Sequence, residues 1–187
     1  YCMMTTTKED VLDIIRVRTL FAACIKDDEV ALKEYCDAYM EVVRLLTYFG
    51  SLFYFVTHDV KSKIDTLHAH LTRDPVHYQT ISSMANFEQA LGITGSAKSK
   101  KDNHGCRTLL RLHRALQFIF KLMESICNAP ENVTLATLAK ETYDECLAPH
   151  HHILIRKTVR LAVYALPSRR QLIDHIVSGQ PPASGLA

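Results

Sequence analysis

An all-α fold follows from three features of this 187-residue chain. Apolar residues recur at three- and four-residue intervals over long stretches, the spacing that gathers them on one face of a helix. No stretch alternates apolar and polar residues with the period of two that a half-buried strand needs. Glycine and proline number only six each and gather near loops and the end of the chain, so few turns interrupt the helices. A chain of this length can bury a core without staples. We read 1–178 as one domain and 179–187, GQPPASGLA, as a disordered tail.

Taken in order, Thr5-Thr6-Thr7 ahead of Glu9-Asp10 predicts a helix start leading into 11–25. The charged run 26–29 separates it from a second amphipathic helix over 30–49, and Gly50-Ser51 interrupts the path before a third over 53–72. Arg73-Asp74-Pro75 stops that helix, because the residue before proline disfavours helical dihedrals. A shorter helix is predicted over 76–91, then a loop over 92–105 rich in glycine, serine and lysine. The strongest helical pattern spans 106–127 and ends at Asn128-Ala129-Pro130. Helices over 134–146 and 150–166 follow, and Pro167-Ser168 opens a last one.

Composition narrows the function classes. A formal net charge of +2 gives no general attraction for nucleic acid, and no nucleic-acid partner is expected. The six cysteines show no CxxC or other paired spacing, so they read as free thiols in a reducing, cytoplasmic compartment. No apolar run reaches the roughly 18–20 residues of a membrane span, and no signal-peptide core is visible. Asn132-Val133-Thr134 matches a glycosylation sequon, a pattern common by chance.

Three stretches share a gradient of polarity along one face. On the 53–72 helix, Leu52, Phe55, Val56, Asp59, Lys63, Thr66 and His70 fall within a narrow stripe that starts apolar and ends charged. On the 106–127 helix, Arg107, Arg111, Arg114, Phe118 and Leu122 run from charge to grease. His151, Ile155, Thr158 and Ala162 repeat the theme on the 150–166 helix. Asp59–Lys63 could be an exposed i, i+4 pair and the arginines a solvated stripe. Alternatively, the three faces line one pocket with apolar depth (Leu52, Phe55, Val56, Phe118, Leu122, Ile155, Ala162) and a charged mouth. Arginine forks favour phosphate, and a neutral sugar head would not offset the burial of so many cations.

Other readings are weaker. Consecutive His150, His151 and His152 point about 100° apart on a helix and cannot chelate one ion together, so neither a metal nor another cofactor is expected. His58-Asp59 is the dipeptide at the centre of HD-type metal phosphohydrolases, but such a site needs a histidine upstream and His58 is the first in the chain. A helical interaction module with charged stripes for an acidic partner would have a solid core in place of a cavity.

Asp59-Val60-x-x-Lys63, Arg107-x-x-x-Arg111-x-x-Arg114-Ala-Leu, Ala148-Pro149-His150-His151 and Ala165-Leu166-Pro167-Ser168-Arg169 together resemble the glycolipid transfer protein superfamily over about residues 10–178. The likeness is closer to its phosphate-head branch, that of ceramide-1-phosphate transfer proteins and the plant accelerated-cell-death lipid transfer proteins. The resemblance implies a two-layer sandwich of about eight helices that takes sphingolipid chains between its layers, acts without covalent chemistry, and transfers or senses ceramide-1-phosphate-type lipids. It implies that Asp59 grips the sphingoid amide and hydroxyl, that Lys63, Arg107 and Arg111 bind phosphate, and that His151 bonds the amide carbonyl. The sugar-binding branch carries an Asn like residue at the place of Lys63 and a stacking Trp at that of Arg111; this chain has no Trp. Ile153 stands where relatives carry a Trp, and His152 where they carry Pro or Gly. The expected protein is a cytoplasmic monomer that meets anionic membrane surfaces transiently, with Lys98, Lys100, Lys101 and Ile153 as contact candidates.

Overall fold

Eight α-helices are present in the computed structural model, which describes residues 12–93 and 104–178. They are α1 (Ile14–Ala23), α2 (Leu32–Tyr48), α3 (Tyr54–Arg73), α4 (Ile81–Ala90), α5 (Gly105–Asn128), α6 (Leu135–Cys146), α7 (Ile153–Ala162) and α8 (Arg169–Ser178). The all-α sandwich expected from the sequence is the fold observed. Residues 1–11, the predicted tail, and Lys98, Lys100 and Lys101 lie outside the described residues, as does the side chain of Leu52.

Local chemistry sets most helix ends. The Asp13 carboxylate accepts the Arg16 amide at 2.9 Å and starts α1. Thr80 and Ser83 close a reciprocal capping box, which delays α4 to Ile81, five residues after its predicted start. Ser168 and Gln171 exchange two bonds of 2.8 and 3.2 Å at the head of α8. Between α2 and α3, Gly50 adopts a φ of +81°, a conformation that costs glycine little, and a single 3-10 turn at Ser51–Phe53 leads into α3.

Two departures from the sequence reading are informative. The charged run after α1 is a small antiparallel ribbon, β1 (Ile25–Lys26) with β2 (Glu29–Val30), not a plain connector. Asp27 and Asp28 turn it with φ of 50° and 62°, which short polar side chains tolerate. Strands of two residues carry no readable period. The predicted 150–166 helix is likewise divided: Ala148–His150 form a 3-10 turn, His151 is extended, α7 spans ten residues, and Val163–Ala165 form another 3-10 turn.

The helices pack in succession, α1 on α2, α2 on α3, α3 on α5 and α5 on α6, with α4 against α5. The core is built chiefly from α2, where Leu32, Tyr35, Cys36, Tyr39, Val42 and Leu45 are almost wholly buried. Ile64 and Leu67 of α3, Leu112 and Leu116 of α5, and Leu135 and Leu138 of α6 complete it. By contrast α7 has no buried residue and leaves Ile153, Leu154 and Leu161 exposed. No helix among the described residues is long and apolar enough to cross a membrane. The five cysteines described are free thiols.

Candidate functional site

A cavity of about 800 Å³ opens between α2, α3, α5, α6 and α7, near the upper end of the roughly 300–1,000 Å³ of ordinary ligand pockets. Its depth is apolar. Phe55 and Val56 of α3, Phe118 and Leu122 of α5, and Ile155 of α7 line it. Ala162 does not. The cavity-lining residues recur every fourth position, Ile155 and Val159 of α7 and then Val163 of the 3-10 turn that follows, and Ala162 is not among them. Thr158 is exposed and hydrogen-bonds the Leu154 carbonyl at 3.1 Å.

The charged residues meet at one end of the same cavity. Asp59 and Lys63 lie a turn apart on α3, where they form an ion pair with Lys63 19% exposed and Asp59 66% exposed. Arg107, Arg111 and Arg114 face them from α5, and His150, His151 and His152 from the segment before α7. The pocket and the i, i+4 pair are therefore both present. Arg111 is exposed and has no ion pair among the described residues, so its guanidinium fork is free for an anion. Arg114 is half-buried and also lines the cavity.

The head of α5 is held by a buried carboxylate. Glu88 of α4, 1% exposed, accepts the Gly105 amide at 2.6 Å, the Cys106 amide at 3.0 Å and the Tyr78 hydroxyl at 3.1 Å. Burial works to raise its pKa, but these hydrogen bonds outweigh it and hold the carboxyl below its ordinary value. A Cβ at residue 105 would sit 2.4 Å from Met84 Sδ and 2.9 Å from Tyr78 Cε1, so only glycine fits there without a shift. Since Glu88 occupies these N-terminal amides, an anion at the cavity mouth is met by side chains, those of Arg107 directly after them and of Arg111 and Arg114 about one and two turns beyond it.

His151 is fixed from two sides. Its Nδ1 lies 2.8 Å from the Tyr143 hydroxyl, and its carbonyl accepts Arg156 Nε at 2.7 Å. Burial pushes the imidazole pKa down, with the Asp59 carboxylate pulling it back up. The extended backbone at His151 also changes the metal argument. His150 to His152 are not consecutive helical residues, so the 100° separation does not apply to them. Among the described residues, no three His, Cys, Asp or Glu side chains gather where they could hold a metal ion. At the opposite end of α5, Arg169 bonds the Ile126 carbonyl and, at 2.7 Å, that of Pro130, so this motif arginine supports the helix.

The family model of the glycolipid transfer protein matches residues 30–178, most of the chain. The chain belongs to the glycolipid transfer protein family. Within it, the ceramide-1-phosphate transfer protein of Danio rerio is 34% identical over 173 residues, 91% of this chain and 82% of that protein. Accelerated cell death 11 of Arabidopsis thaliana is 30% identical over 155 residues, 83% of this chain and 71% of that protein. The crystal structure of human ceramide-1-phosphate transfer protein in complex with 12:0 ceramide-1-phosphate superposes with a TM-score of 0.83 at 28% identity, covering 89% of this chain and 81% of that one. Family members such as the ceramide-1-phosphate transfer proteins are lipid transfer proteins, and the superposition shows that this chain shares their fold.

Sequence reasoning missed several residues at this site. His150 and His152 line the cavity, as do Phe49, Phe53 and Tyr39. Tyr143 is the least legible of them, because nothing in its spacing links it to His151 eight residues on. Glu88 reads in sequence as one more polar residue on an amphipathic helix.

Proposed function

We propose that this chain binds ceramide-1-phosphate-type sphingolipids and moves them between membranes without covalent chemistry. The observation that carries the reading is the joining of one apolar cavity to one cationic mouth. Two chains of roughly 30 methylenes in all, at about 0.8 kcal/mol each, cost on the order of 25 kcal/mol to place in water. A dry cavity offsets that cost. Lys63, Arg107 and Arg111 cradle the phosphate, with Arg114 in reach of the same group. Asp59 accepts the amide N–H and the hydroxyl of the sphingoid base, and His151 donates to the amide carbonyl. Phosphate arriving at Lys63 shares it with Asp59, so lipid entry does not require that ion pair to be lost.

Transfer between vesicles tests this, with labelled ceramide-1-phosphate compared against a labelled neutral glycosphingolipid. Movement of the phosphate lipid alone is the expected result. Movement of the sugar lipid would show the headgroup reading to be wrong, and movement of neither would point to a sensor or an interaction module.

Exchange also requires contact with a bilayer, and the protein acts peripherally at cytoplasmic membrane surfaces. Ile153, 60% exposed beside the cavity mouth, inserts among the lipids, while Lys98, Lys100 and Lys101 meet anionic headgroups, each contributing about 1 kcal/mol near such a surface. Ile153→Ser is expected to weaken vesicle binding several-fold with short-chain lipid affinity in solution retained. Reversing the three lysine charges should flatten the salt dependence of vesicle binding. Unchanged sedimentation with vesicles in both variants would place the contact elsewhere.

A further inference from the structure

We infer that Tyr143 is a positioning residue that sets the tautomer of His151, so that the imidazole presents an Nε2–H donor to the cavity. The two groups meet at 2.8 Å through the phenol oxygen and Nδ1, and which of them donates decides what His151 can do. Tyr143 is 1% exposed, so its hydroxyl proton has no water to turn to. Its only hydrogen-bonding partner among the described residues is His151 Nδ1. Were the proton on Nδ1, the buried hydroxyl would accept that bond and leave its own proton without an acceptor, an arrangement folded proteins avoid. With the hydroxyl donating, the buried phenol proton has its acceptor in Nδ1, and the single imidazole proton sits on Nε2. That nitrogen has no hydrogen-bond partner among the described residues, and His151 lines the cavity.

The surroundings keep the arrangement intact near neutral pH. Burial raises the Tyr143 phenol above its ordinary value, so it stays a donor. Burial also keeps His151 neutral, opposed by Asp59 of α3 and aided by Lys63, His150 and Arg156. Tyr143 is itself fixed by an edge-on contact with Phe118 of α5, ring centroids 6.5 Å apart. Its hydroxyl therefore cannot swing away without disturbing the cavity wall. A neutral donor at this point selects an acceptor such as an amide carbonyl over a second anion. The functional consequence rests on the proposed amide-bearing phosphate lipid; the tautomer does not.

The test separates the two. Imidazole 15N shifts of the lipid-free protein above neutral pH should show His151 as the Nε2–H tautomer, and Tyr143→Phe should convert it to a mixture while raising its pKa. Binding of short-chain ceramide-1-phosphate should then fall about fivefold relative to sphingosine-1-phosphate, which has the phosphate and no amide carbonyl, as expected for one neutral hydrogen bond. An Nδ1–H tautomer in the wild-type protein, or an unchanged one in Tyr143→Phe, overturns the inference. Equal losses for both lipids overturn it too, since they would mark Tyr143 as packing alone. If neither lipid binds wild-type protein, the proposed ligand fails while the 15N shifts still decide the role of Tyr143.

Discussion

Arg111→Ala is expected to reduce ceramide-1-phosphate binding by about 2–5 kcal/mol, the range for removing one partner of a desolvated charge pair. Transfer should fall at least tenfold. In the lipid-free protein Arg111 is exposed and has no ion pair among the described residues, so its loss should leave the thermal midpoint nearly unchanged. Arg111→Lys keeps the charge but loses the planar fork, and should retain an intermediate activity. Lys121→Ala is the matched control: it lies on the same helix, pairs with Glu145 at the surface, and is not part of the cavity lining. Normal transfer by Arg111→Ala, or an equal defect in Lys121→Ala, would remove Arg111 from the phosphate site.

The parts of this site that were legible in the sequence are those written along single helices. The 106–127 pattern ends one residue from the observed α5 at each side, because an apolar face of that length admits no other period. The gradients on α3 and α5 could be read for the same reason, as residues three and four apart must share a face. What could not be read lies between elements or in segments too short for a period. The bond between Tyr143 and His151 depends on a 3-10 turn and an extended residue, where the pattern started the 150–166 helix at His150. The ribbon at residues 25–30 is set by two aspartates in the left-handed region, which the charge run alone does not announce. Burial of Glu88 depends on how α4 meets α5, and a carboxylate on an amphipathic helix ordinarily predicts solvent.

Glu88 is where the largest loss of stability is expected. Glu88→Ala leaves the amides of Gly105 and Cys106 and the Tyr78 hydroxyl without their acceptor, in a region closed to water. Hydrogen bonds to a charged group contribute about 1.5–3 kcal/mol each, and unsatisfied buried donors cost about 1–3 kcal/mol, so a loss of about 3 kcal/mol or more is expected in denaturant unfolding. Glu88→Gln should lose less, since an amide oxygen in the place of Oε1 still accepts the Gly105 amide and the Tyr78 hydroxyl, while its NH₂ faces only the Cys106 amide. The pH dependence has a definite sign. The folded pKa of Glu88 is depressed from 4.5, so its stabilisation is fully present above that unfolded value and is lost as pH falls through the lower folded one. The stability gap between wild type and Glu88→Gln should therefore be constant from neutral pH down to about 5 and shrink below it. Because α5 carries Arg107, Arg111 and Arg114 from the end that Glu88 holds, weakening this tie should also reduce lipid binding while the protein is still folded. A Glu88→Gln protein that matched wild type in stability at every pH would show that the helix is held in place by its apolar packing alone.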